Sequence, residues 1–213
     1  NADDIRRNIE LFGLPDIFIH LGWGAMTDPA SEVHLDANVE ASKTLISTLF
    51  KAGLRKFIFL GSVNEYGGRE GSLSEDMPAE GRLTAYAQGK TQVASFGLEQ
   101  ASKYNKTFIG IRLFNTFGAG QRPGSLINKL YKSYRQNIKP ELGPCEHFRD
   151  YIHVSEVVRG ITLLCDIDES TIVNLGSGPR IIHPSVINVD IYPFANVQIV
   201  SGAERLPFKN SSL

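Results

Sequence analysis

Only two cysteines occur in 213 residues, Cys145 and Cys165, and they lack any metal-ligand spacing. Neither a disulfide framework nor a zinc site is expected, and His34, His147 and His183 add no metal pattern. Cys165, closing the apolar stretch Ile161-Thr162-Leu163-Leu164, reads as a small core residue. A surplus of one charge is also missing. Lys+Arg 22 against Asp+Glu 23 leaves a formal −1, so no global positive field draws the chain to nucleic acid or an anionic membrane. Any phosphate must be gripped locally. The longest apolar runs, such as Phe57-Ile58-Phe59-Leu60, are far short of the roughly 20 residues that span a bilayer, and no basic-then-apolar leader opens the sequence. A cytoplasmic protein with no membrane partner is the expectation. At 42% hydrophobic and 21% charged, the composition excludes disorder, collagen and coiled coil. The start at Asn1 and the stop at Leu213 without a terminal element read as a fragment.

What is present is a recurrence of short apolar runs bounded by turn residues: Ile17-Phe18-Ile19, Phe57 to Leu60, Phe108 to Leu113, Ile172-Val173, Val186 to Ile191 and Val197 to Val200. Runs apolar at every position read as buried parallel strands. Helical stretches lie between them, one from about Val33 to Ala52 with Gly53 as its C-cap, and one from about Ala85 to Tyr104. The alternation implies an α/β, Rossmann-like doubly wound parallel sheet, whose ligands bind at the carboxyl ends of the strands.

Tyr86-Ala87-Gln88-Gly89-Lys90 sets a phenol and an ammonium four residues apart, one turn apart on one helix face. Such a pair can transfer a proton. A tyrosine that titrates near 10 needs a shift of roughly 3 units, about 4 kcal/mol, to act as a base at neutral pH. A lysine charge about 5 Å away at an effective dielectric of about 20 supplies on the order of 3 kcal/mol. Spacing alone is equally compatible with a solvated helix face. Context adds Phe57-Ile58-Phe59-Leu60-Gly61-Ser62, a strand delivering a hydroxyl at its carboxyl end, then Ile111-Arg112-Leu113-Phe114-Asn115 ahead of Gly118, and finally Phe148-Arg149-Asp150-Tyr151 with a fixed cation.

In this order and spacing the chain, from about Ile17 to Ile172, resembles the extended short-chain dehydrogenase/reductases, the NAD-dependent epimerase/dehydratase family that acts on nucleotide sugars. The resemblance implies Tyr86 as general acid/base, Lys90 as its pKa partner and a ligand of the nicotinamide ribose, and Ser62 as the group that hydrogen-bonds the reacting oxygen. Asn115 would contact the sugar-diphosphate side, and Arg149 would hold the diphosphate as a bidentate cation. His20-Leu21-Gly22-Trp23 resembles the family segment that lines the cofactor, with tryptophan where a small residue is usual. His20, Gly22 and Trp23 thereby join Tyr86 and Lys90 as cofactor-binding candidates, while the plainer reading of His20 is a satisfied strand-end histidine. Asn38 stands where the family has an asparagine early in a helix, and reads better as a packing hydrogen bond than as a ligand.

Two departures qualify the resemblance. Family members open with a strand, a Gly-rich turn and a helix that cradles the cofactor pyrophosphate, and no such fingerprint occurs here. The expectation is a 1–172 domain lacking its first βαβ unit, so that the choice between NAD and NADP is not readable. The second departure is 173–213, where Gly176-Ser177-Gly178-Pro179, Asp190 after an apolar run, and Ala203-Glu204 resemble the opening of a class I S-adenosylmethionine-dependent methyltransferase. There Gly176, Gly178, Asp190 and Glu204 would contact S-adenosylmethionine, the competing reading being the remainder of a substrate domain.

Within the family, 4,6-dehydratases carry an Asp-Glu pair directly after the catalytic hydroxyl, because elimination of water needs both a base and an acid. Val63-Asn64 stand there instead. Glu65 comes one residue late, and in an extended segment it would turn to the other face. Dehydration is therefore disfavoured in comparison with 4-epimerisation or 4-keto reduction of a nucleotide-activated hexose, with a homodimer allowed for the complete protein. The rival reading is a non-catalytic segment of a larger fusion.

Overall fold

A computed structural model describes residues 1–140, 142 and 149–176, together with the backbone of 189–190 and 199–200. Through 176 the elements run α1 (Ala2–Phe12), β1 (Ile17–His20), α2 (Ala37–Ala52), β2 (Lys56–Leu60), α3 (Ala85–Tyr104), β3 (Thr107–Leu113), β4 (Asn115–Phe117), α4 (Leu126–Arg135), β5 (Tyr151–His153), α5 (Val154–Leu164) and β6 (Thr171–Leu175). They fall into two compact units, Asn1–Phe114 with Arg159–Leu175, and Asn115–Val158 with Gly176–Leu213.

In the first unit four parallel strands pair in the order β1-β2-β3-β6. Because successive strand side chains point to opposite faces, Phe57, Phe59 and Phe108 enter one core with Val39, Ile46, Phe50 and Val93 of α2 and α3. Ile58, Ile109 and Ile111 enter the other, beneath Ile161, Leu164 and Cys165. Helices thus cover both faces, as a doubly wound α/β sheet requires, and Cys165 packs as a core residue. Phe57 and Phe108 stack with ring centroids 5.9 Å apart. In the second unit β4 pairs in parallel with β5, Asn115 opposite Tyr151.

Helix limits follow their caps. The threonine hydroxyl at position 84 accepts the Ala87 N–H at the start of α3, and Gly53 ends α2 at φ 109°, a left-handed conformation natural to glycine. The helix expected from about Val33 is instead a 3-10 turn at Glu32–His34 followed by α2 from Ala37. His34 ends that turn with a fully buried ring that is hydrogen-bonded through both nitrogens.

Of the methyltransferase-like candidates, Gly176 follows β6 directly, Asp190 is described only as backbone in a two-residue strand, 189–190, that pairs with 199–200, and Gly178 and Glu204 lie outside the described residues. So do Cys145, His147 and His183. Among the described residues no helix is long and apolar enough to cross a membrane, and no cluster of three His, Cys, Asp or Glu could hold a metal.

The rim of the sheet carries an unusual buried cation. Lys56 in β2 is fully buried, donates to the Cys165 carbonyl and lies 3.2 Å from the Asp168 carboxylate, which Arg55 also contacts at 2.6 Å. The Lys56 ammonium, and then Arg55, hold the Asp168 carboxyl below the ordinary value of 3.8. A depressed carboxyl stabilises the fold above its unfolded pKa, and that stability is lost as pH falls through the folded value. Asp168→Asn should therefore flatten the decline in melting temperature below about pH 4, measured by melts across an acid series. An equally steep decline in the variant would refute the pairing.

Candidate active site

The strand ends and α3 converge on one place. β2 runs into Gly61 and Ser62, and Val63–Tyr66 then coil into a single 3-10 turn. Ser62 is buried, its Oγ accepting the Asn64 N–H at 3.2 Å. With that lone pair engaged, the hydroxyl proton is free to be donated, and the Tyr86 phenol lies within its hydrogen-bonding reach. Tyr86 is half-buried at the first turn of α3, its N–H bonded to the Pro29 carbonyl at 3.0 Å.

One turn on, Lys90 is buried at 3% exposure and donates to the Leu60 carbonyl at 2.7 Å. Its ammonium also sits 3.9 Å from the centroid of the Trp23 ring, 4.8 Å from that of Phe59 and 5.8 Å from that of Tyr86. Burial lowers Lys90 from 10.5 to about 7, against an opposing pull from Glu65. The phenol moves the other way: burial pushes Tyr86 above its usual value, the Ser62 hydrogen bond lowers it, and the Glu65 charge raises it. The lowering expected from the Tyr86–Lys90 spacing is thus not realised in this arrangement. The lysine charge is committed to the Leu60 carbonyl and the indole face, and desolvation of the phenol prevails.

Glu65 corrects a second expectation. The segment is a 3-10 turn and not an extended strand, so Glu65 turns inward, is buried at 4% exposure, and accepts the Ser62 N–H at 2.8 Å. Ser62-x-x-Glu65 is a capping box, the one signal in the sequence that could have located this carboxylate.

Around the cofactor-side candidates, the Trp23 indole donates to His34 Nδ1 at 2.9 Å, while His34 Nε2 lies 2.9 Å from the Asp28 carbonyl. An indole N–H only donates, so Nδ1 is the acceptor and Nε2 carries the proton. Asn38 accepts from the Gly24 N–H at 3.0 Å and donates to the Gly24 carbonyl at 3.1 Å, a packing role as expected. Together these bonds hold the 20–24 loop in place. His20, at the end of β1, stacks near Phe57 and Phe59, and its Nδ1 is buried with no hydrogen-bond partner. It is not the satisfied histidine of the plainer reading. Burial, then the Lys90 charge, lowers it to about 4, so the ring is neutral at pH 7. Gly22 is open, since an added Cβ would meet nothing within 4 Å.

In the second unit, Asn115 donates both its backbone N–H and its side-chain amide to the Asp150 carbonyl, at 3.2 and 3.0 Å. Arg149 is exposed beside it in sequence. The amide of Asn115 thus secures the loop that carries Arg149.

Comparison with known proteins shows the family. The sequence model of the NAD dependent epimerase/dehydratase family matches residues 1–176. A protein of Bacillus subtilis (strain 168) described as an uncharacterized UDP-glucose epimerase is 26% identical over 183 residues, covering 78% of this chain and 54% of that protein. The dTDP-4-dehydro-6-deoxyglucose reductase of Escherichia coli is 28% identical over 155 residues, covering 68% and 47%. The chain therefore spans about half the length of the curated relatives it matches. Among solved structures, MoeE5 in complex with UDP-glucuronic acid and NAD superposes with a TM-score of 0.66 at 26% identity, over 76% of this chain and 57% of that one. None of these three is a methyltransferase.

Proposed function

Because the chain belongs to the NAD-dependent epimerase/dehydratase family, we propose that it carries the proton-transfer site of a nucleotide-sugar oxidoreductase acting at a hexose carbon, by 4-keto reduction or 4-epimerisation. The observation that carries this reading is the convergence of Ser62, Tyr86 and Lys90 at the carboxyl end of β2. Support for NAD in particular comes from the solved relative that contains it. The first unit suits the nicotinamide-ribose end of that cofactor, since Lys90, Tyr86, the neutral His20 ring and the open backbone at Gly22 belong to the ends of β1 and β2 and the start of α3. NAD, when bound, takes or supplies the hydride. Ser62 would orient the sugar oxygen, and Tyr86 would pass the proton to or from it. The phenol would give its proton to a carbonyl oxygen in reduction and would both take and return it in epimerisation, so the two reactions are assayed side by side. In reduction Tyr86 would give its proton to the sugar oxygen as that oxygen becomes a hydroxyl, and solvent would reprotonate the phenol. Asn115 and Arg149 stand as candidate contacts of the substrate diphosphate, the guanidinium fork suiting two phosphate oxygens.

The test uses the protein at its natural length with NADH and a 4-keto nucleotide sugar, and separately with NAD and a panel of UDP-, dTDP- and GDP-hexoses. Consumption of NADH, or appearance of the C4 epimer by NMR, is the expected result. Absence of turnover across the panel, together with no thermal shift on adding NAD(H), would favour the rival reading of a non-catalytic segment of a larger fusion.

A further inference from the structure

The charged group that the proposed chemistry leaves unused is the one nearest to it. Glu65 is buried within the turn that follows β2, and four elements meet around it. From its own turn, Oε1 takes the Ser62 N–H at 2.8 Å. From β3, Arg112 Nε approaches Oε2 at 3.5 Å. From α3, Tyr86 and Lys90 both feel its charge. Beneath it, Gly61 leaves the space the carboxyl occupies: a Cβ there would collide with Oε1 and come within 2.8 Å of the Ile111 carbonyl. Arg112 is itself fixed, its guanidinium 4.4 Å above the Tyr66 ring and donating to the Glu75 carbonyl at 2.9 Å. Tyr66 in turn donates to Asn174 of β6 at 2.7 Å. A buried carboxyl is costly unless paired and hydrogen-bonded; burial pushes this one up, and its bonds to the Ser62 backbone and to Arg112 of β3 pull it back toward the charged form.

We infer that Glu65 is a positioning residue for the Ser62–Tyr86–Lys90 site, its carboxylate holding the Ser62 hydroxyl toward the phenol and its charge balancing Lys90 against Arg112. The inference rests on the reading given under Proposed function. The capping box sets Ser62: Glu65 takes the serine N–H and the Asn64 N–H takes one lone pair of the serine oxygen, which leaves the hydroxyl proton available to a neighbour. The charge does separate work. Lying among Tyr86, Lys90 and Arg112, with Glu75 beyond Arg112, it favours the protonated phenol and the charged ammonium, raising both groups.

Two substitutions divide these roles. Glu65→Gln keeps an oxygen for the Ser62 N–H and removes the charge. Tyr86 and Lys90 should then lose protons more readily, and the limb of the kcat-versus-pH profile that they govern should move to lower pH by about one unit, with KM unchanged. Glu65→Asp keeps the charge but is too short to reach Ser62, so kcat should fall about tenfold with the limb unmoved. A merely structural residue would change neither the limb nor the division between the two variants. Profiles of both variants that superimpose on the wild type would overturn the inference, as would a Gln variant that only lowers kcat. If Glu65→Gln fails to fold, Glu65→Asp alone decides by its kcat. Tyr86→Phe in the same assay separates failures: a fully active Tyr86→Phe sinks the proposed mechanism itself, whereas an inactive one beside unaltered Glu65 variants sinks only the role of Glu65.

Discussion

Tyr86→Phe, made in the protein at its natural length, should lower kcat by at least about a hundredfold, roughly 2.7 kcal/mol of transition-state stabilisation, while nucleotide-sugar affinity changes little. The ring keeps its edge contacts with His34 and Trp23, 5.2 and 6.3 Å between centroids, so the site stays packed. Only the hydroxyl is lost, the group whose titration the neighbouring Ser62 lowers. A group that exchanges its proton in the transition state contributes there and not to ground-state binding, so the loss should appear in kcat and leave KM in place. The competing reading of Tyr86 and Lys90 as a solvated helix face predicts near-normal turnover. Steady-state kinetics of the variant, with its melting temperature as a check on folding, decides between them.

That solvated-face reading fails on physical grounds already visible in Lys90. A surface lysine would keep its charge near neutrality, whereas this one is desolvated to about 7 beneath an indole ring. Its burial disfavours the charged form, and Glu65 opposes that shift. Position four residues after Tyr86 was enough to put both groups on one face of α3, and the limits of that helix, about Ala85 to Tyr104, match those observed, where Thr84 and Asn105 cap it. What covers Lys90 was not legible. Trp23 arrives from the loop after β1, held there by His34 and Asn38, and a contact between residues so distant in sequence leaves no periodic trace. The strands at 57–60 and 108–113 were readable because residues buried on both faces are apolar without interruption. Glu65 departs from the extended geometry expected after Ser62 because the serine-to-glutamate spacing of a capping box folds the segment into a 3-10 turn. The direction of the Tyr86 shift differs for a related reason: spacing predicts proximity to a charge, whereas burial of the phenol is a property of the packed site.

One of the close approaches in the site is made by a residue with no side chain. Gly89 lies between Tyr86 and Lys90, and a Cβ there would collide with the His34 carbonyl oxygen and come within 3.1 Å of its carbonyl carbon and 3.2 Å of Trp23 Cζ2. The carbonyl has nowhere to go. It belongs to a 3-10 turn closed by the Leu35 N–H on Glu32 at 2.8 Å, and the His34 ring is pinned by Trp23 and Asp28. In an isolated helix, alanine would be favoured over glycine by about 1 kcal/mol. Here overpacking of about 1–3 kcal/mol should outweigh it, because relief requires α3 to move away from the turn. Gly89→Ala is therefore expected to lower the melting temperature by several degrees, on a scale of roughly 2–4 °C per kcal/mol for a chain of this size. It should also lower kcat by more than about tenfold, since Lys90 is the next residue and its bond to Leu60 moves with the helix. Trp23, the single tryptophan of the chain, should report the displacement as an emission shift. Gly97→Ala is the control on the same helix. Its Cβ would strike the Phe108 ring in the core, so it should lower the melting temperature while leaving the emission of Trp23 and the turnover of the folded protein close to wild type. A Gly89→Ala protein that melts higher than wild type and turns over normally would show that helix propensity governs this position, and that α3 and the His34 turn are not in the close contact on which the site depends.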